Sequence, residues 1–155
     1  MKNIVIPLVV IVLLLGACSG NEKTIQLEDR SFANTLFIQK VENNSSSEEM
    51  SKTVKDKDKI EEVLSMVEGL NVQKINTDTF MENLKSQNSY MLGFFKGNGT
   101  NTEKGKYAFN ILEDGTVLFN SDKVDNPGTL LITTKKHKDL LNEMKQLLEI
   151  NFQVQ

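Results

Sequence analysis

The chain has 155 residues, 25% of them charged and 39% hydrophobic, close to globular averages and far from the composition of disordered chains. That length suits one ordinary domain with its own core. A formal net charge of −3 excludes the strongly basic balance of a nucleic-acid-binding domain, and a single cysteine excludes an intrachain disulfide.

The first 17 residues, MKNIVIPLVVIVLLLGA, carry one charge, Lys2, followed by an apolar run over 4–15. A short positive start and an apolar middle are the layout of an export signal. As a helix, residues 4–17 would extend about 21 Å at 1.5 Å per residue, short of the roughly 30 Å hydrocarbon core of a bilayer. The segment is therefore expected to be a removable leader. Without Lys2, the 18 basic residues become 17 against 21 acidic ones.

The end of the leader, Leu15-Gly16-Ala17-Cys18, resembles the lipobox of bacterial prolipoproteins, in which an aliphatic residue and two small residues precede the modified cysteine. The resemblance implies that a signal peptidase recognises Leu15, Gly16 and Ala17. It also implies that the Cys18 thiol takes a diacylglyceryl group and that Cys18 becomes the mature N-terminus. Membrane lipid is then the first partner, and the expected location is the extracytoplasmic face of the cell membrane, lipid-anchored. The likeness covers residues 1–18 alone. The plan of the whole chain resembles the small lipoproteins of Bacillus-like bacteria.

Residues 18–30 contain two isolated apolar positions among polar ones and read as the lipidated cysteine plus a flexible tether, with a single domain over 31–155. Residues 31–41 read as a strand and 42–57 as an exposed loop. Ile60, Val63, Leu64 and Val67 recur at helical spacing and predict a helix over 59–68, capped by Asp58 and ended by Gly69. A shorter helix is expected over 79–85, where Thr79 and Glu82 have capping-box spacing.

The period then changes to that of strands. Residues 90–95 form one candidate, and 107–113 and 116–120 flank Asp114-Gly115, a dipeptide favoured in tight hairpins. A two-residue loop would pair Leu112 with Val117 and Ile111 with Leu118, so both faces of the sheet carry apolar groups and part of it is covered twice. A strand over 129–133 and a helix over 135–150, capped by Thr134, close the chain. The expected fold class is α+β: an antiparallel sheet of about four or five strands with two or three helices packed on it.

The inventory for chemistry is thin. Beyond Cys18 the domain has no cysteine and one histidine, His137, so thiol catalysis and the common zinc ligand sets are not available. No nucleophile elbow, phosphate loop or dinucleotide glycine fingerprint occurs. No catalytic residue, metal site or cofactor is expected. The oxygen-bearing side chains of Asp122, Asp125 and Asn126 lack the spacing of a twelve-residue calcium loop.

Two features suit an interaction surface. Lys135, Lys136 and Lys138 crowd positive charge at the expected helix start, where the helix dipole disfavours it, and such charge suits an anionic polymer or a partner protein of the envelope. Tyr90, Phe94, Phe95, Tyr107, Phe109 and Phe119 form an aromatic set on neighbouring strands, explained mostly by core packing. The expected function is a membrane-anchored, non-enzymatic binding or interaction module. The alternatives are an envelope hydrolase using carboxylates that sequence cannot pair and an accessory subunit of a membrane complex.

Overall fold

A computed structural model describes residues 22–97, 105–125 and 128–152. The described chain is a mixed α and β fold built on one antiparallel sheet of eight strands, more than the four or five expected, with three helices. The strands are β1 (Glu22–Thr24), β2 (Thr35–Val41), β3 (Ser51–Val54), β4 (Asn71–Lys74), β5 (Ser89–Phe95), β6 (Gly105–Leu112), β7 (Val117–Phe119) and β8 (Leu131–Thr133). The helices are α1 (Lys57–Val67), α2 (Thr77–Ser86) and α3 (Lys138–Leu147). The sheet order is β1-β4-β8-β7-β6-β5-β2-β3.

Alternation along the strands divides the core in two. Leu36, Ile38, Leu92, Phe94, Phe109, Ile111, Val117 and Phe119 point to one face, where they meet Ile60, Val63, Leu64 and Val67 of α1 and Leu141, Met144 and Leu148 at α3. On the opposite face Leu112 and Leu118 pack with Phe80 of α2, supported by Ile75, Leu84 and Ile132. The expectation of partial double coverage therefore holds, with two helices on one side and one on the other.

The helix α1 starts two residues earlier than periodicity suggests, because Asp56 rather than Asp58 is the cap; its carboxylate accepts from the N–H groups of Asp58 and Lys59. Gly69, at φ +80°, ends it in the left-handed region, as expected. In α2 the cap is Asn76, whose side chain accepts from the Thr79 N–H. The last helix begins at Lys138 with His137 at the cap position, so neither Thr134 nor Lys135 and Lys136 belong to it. Only Lys138 faces the dipole.

The largest correction concerns the supposed tether. Residues 22–30 belong to the domain: β1 pairs with β4, Ile25 is fully buried, and Leu27 is 3% exposed. The Ile25 N–H donates to the Leu70 carbonyl at 3.0 Å, and the Gly69 N–H donates to the Ile25 carbonyl at 2.8 Å. Spacing of two between Ile25 and Leu27 is a strand signal, but it spans too few residues to stand out from its polar neighbours. The expected loop over 42–57 is also corrected, since it contains a 3-10 turn, Glu48–Met50, and the edge strand β3.

The hairpin forms with its register one residue away from the expected one. The Leu112 N–H donates to the Thr116 carbonyl at 2.8 Å and the Gly115 N–H to the Leu112 carbonyl at 2.9 Å, giving a three-residue loop with Gly115 at φ +86°. This is a turn followed by a glycine bulge. Ile111 consequently pairs with Val117 and Asn110 with Leu118.

Candidate functional site

Helix α2 occupies the β6-β7-β8 side of its face, and a groove of about 570 Å³ lies on the β2-β5-β6 side of the same face. None of its lining residues comes from a helix. Cross-strand partners point to one side of a sheet. Phe37, Gly93 and Ala108 are thus aligned across three strands, and Gln39 and Met91 form the next row. Two small residues side by side leave a hollow where larger ones would fill the surface. The Phe95 ring folds over Gly93, so close that a Cβ there would stand 3.1 Å from its Cε2. Phe37 and Met91 supply apolar walls, both half-buried.

The polar groups gather at one end. Lys106, at the start of β6, forms an ion pair with Asp125 at 2.8 Å. The Asp125 N–H also donates to the Lys106 carbonyl at 3.1 Å, and Asp125 holds φ +61°, uncommon outside glycine. These two contacts fix the loop after β7 to the start of β6. Ser121 accepts from the Lys123 N–H at 3.1 Å, which orders the turn that carries the exposed Lys123. The hydroxyl of Tyr107 is buried without a hydrogen-bond partner, and burial, helped by Asp122, pushes its phenol well above the ordinary value. It remains a neutral donor at any physiological pH.

Leu15, Gly16, Ala17 and Cys18 lie outside the described residues. Lys135, Lys136 and Lys138 are all exposed, and the Lys136 ammonium stands 2.8 Å from the Asp114 carboxylate, so one of the three charges has a counter-ion. The His137 N–H donates to the Gly115 carbonyl at 2.8 Å, a structural role for its backbone. Asp122 pairs with Lys23 at 3.5 Å and Asp125 with Lys106, while Asn126 lies outside the described residues. No group of three or more histidine, cysteine or acidic residues among the described residues is arranged to hold a metal.

Of the aromatic set, Tyr90, Phe94, Tyr107, Phe109 and Phe119 are buried in the core with α1 and α3, and Phe95 and Tyr107 border the groove. Sequence reading missed the groove residues Phe37, Met91, Gly93 and Ala108. The available signal was the small residue at Gly93 and Ala108 on alternate positions of two adjacent strands, visible only once register is known.

Asp114 gives a pH prediction. Burial acts to raise its carboxyl, but hydrogen bonds from Lys136, Thr116 and Gln87 outweigh it and hold the group well below the usual carboxylate range. A depressed folded value adds stability above the unfolded value of about 3.9, and this is lost as pH falls through the folded value. Asp114→Asn is therefore expected to lower the urea midpoint at pH 7. The gap from the native protein should narrow below about pH 4, and a gap that stays constant with pH would contradict the pairing.

No helix among the described residues is long and apolar enough to cross a membrane. No protein-family model, curated protein or solved structure matches this chain.

Proposed function

We propose that the chain is the precursor of a lipoprotein, anchored through Cys18 to the extracytoplasmic face of the cell membrane, whose domain is a non-enzymatic binding module. The observation that carries the reading is Leu15-Gly16-Ala17-Cys18 directly after the apolar run over 4–15. The groove on β2, β5 and β6 is the proposed binding surface. Its volume lies within the roughly 300–1,000 Å³ of small-molecule sites, and apolar walls with a few polar groups at the rim are their usual chemistry. Its acidic rim residue, Asp125, is held in an ion pair, which suits binding better than hydrolysis by paired carboxylates.

Two acyl chains turn marginal membrane association into stable anchoring, at about 0.8 kcal/mol per buried methylene. Cys18→Ala removes the thiol that would accept them. Metabolic labelling with a lipid precursor is expected to mark the native chain and not the variant, which accumulates with its leader attached. Undiminished label in the variant would sink the anchor reading.

A further inference from the structure

The register fixes which end of the sheet the chain enters. Antiparallel pairing throughout puts the start of β1 at the same end as the starts of β8, β6 and β2 and the ends of β4, β7 and β5. The Lys23–Asp122 ion pair, 3.5 Å long, ties β1 to the loop after β7. That loop carries Lys123 and Asp125, and with Lys106 it forms the polar rim of the groove. The rim therefore stands at the end of the sheet where residue 22 enters. Four residue steps separate Cys18 from Glu22, at most about 14 Å of chain.

We infer that the groove takes one acyl chain of a glycerophospholipid from the leaflet that holds the Cys18 anchor, with the lipid phosphate against the ammonium groups of Lys106 and Lys123. The inference rests on the anchor reading. The charged groups of the groove, Lys106, Lys123 and Asp125, stand at the entry end, while the lining further in is uncharged, Phe37 and Met91 with the Gln39 amide. That is the polarity of an amphiphile. The floor strands have their main-chain groups paired with each other, leaving little there for a peptide or a sugar to bond. Two ammonium groups and one carboxylate leave a single positive charge at the rim, the complement of a phosphodiester. Lys106 donates to Asp125 yet keeps further N–H donors for phosphate. With so short a connection, the head group stays at the interface while one chain turns out of the bilayer along the groove.

The test uses the full chain in bacteria fed a fatty acid bearing a diazirine, irradiated as intact cells, with the purified protein mapped by peptide mass. A light-independent acyl mass on the Cys18 peptide reports the anchor. A light-dependent phospholipid adduct on residues 89–95 or 105–112 reports groove occupancy, and both are expected in the native chain. Ala108→Glu puts a charge on the floor and should reduce the adduct roughly tenfold or more while the Cys18 mass persists. Lys106→Gln with Lys123→Gln removes both rim ammonium groups, the first together with its ion pair to Asp125, and should reduce it roughly fivefold per lysine. An anchored native chain without groove adduct overturns the inference, as does an adduct unchanged in the lysine variant. A groove peptide joined to the Cys18 peptide would mean that the anchor's own chain fills the groove, which also overturns it. A missing Cys18 mass would instead overturn the anchor reading, and the inference with it.

Discussion

Gly115→Val is expected to destabilise the domain by at least about 3 kcal/mol, well above the effect of an ordinary surface substitution. Two independent causes combine. Gly115 sits at φ +86°, and a β-branched residue held there is strained by roughly 1–3 kcal/mol. In addition, any Cβ at this position would stand 2.4 Å from the carbonyl carbon of His137 and 2.4 Å from the Lys138 nitrogen. Those are backbone atoms, which cannot rotate aside as the tip of a side chain can. Relief requires α3 to back away from the hairpin, breaking the His137 to Gly115 hydrogen bond and loosening Leu141, Met144 and Leu148 in the core. Gly115→Ala shares the second cause in full and should also be costly, which separates crowding from β-branching. Urea unfolding checks both, and a native midpoint in either variant would mean that the turn and helix do not meet as described.

That contact also shows why sequence takes one only part of the way. Asp114-Gly115 announces a turn through the conformational needs of its own residues, so the hairpin is legible locally. The register is not, because a two-residue and a three-residue loop both accommodate the dipeptide. The difference moves Leu118 from opposite Ile111 to opposite Asn110. Helix α1 is legible because four buried residues repeat at one period. Strands β3 and β4 are not, because each contributes one buried residue, Val54 or Val72, and one residue has no period. Edge and near-edge strands of this kind are recognisable only by their partners, which explains a sheet of eight strands where four or five were expected.

The same reasoning applies to the groove. Gly93 in a strand invites a local explanation, such as a bulge or a close backbone approach. Its meaning here depends on Ala108 lying directly across on β6 and on Phe95 folding over it, relations set by pairing and not by spacing. The lysines 135, 136 and 138 are exposed, as a run of charge suggests, but the Lys136 ammonium pairs with Asp114, a partner that spacing does not announce. A run of charge is legible in sequence; the counter-ions are not.

A chain beginning at Ser31 is expected to fail to fold, whereas one beginning at Glu22 should unfold cooperatively. Ile25 and Leu27 are fully or almost fully buried, and each such side chain contributes about 1.5–3 kcal/mol. Losing both removes a sizeable part of the roughly 5–15 kcal/mol by which a domain of this kind is stable. Deletion also takes away the β1 ladder and the two hydrogen bonds by which the Ile25 backbone clasps Gly69 and Leu70. The Gly69 N–H and the Val72 side of the core would then face water at the end of α1. Near-ultraviolet dichroism and urea unfolding of the two chains settle the matter, since a native-like midpoint for the chain from Ser31 would return residues 22–30 to the role of tether. The distinction matters for function as well as stability. Under the proposed Cys18 anchor, a tether running to Ser31 would let the domain reach about 45 Å from the bilayer, whereas a domain starting at Glu22 would stay within about 14 Å. On that proposal, only the second arrangement would hold the Lys106 and Lys123 rim near the lipid head groups.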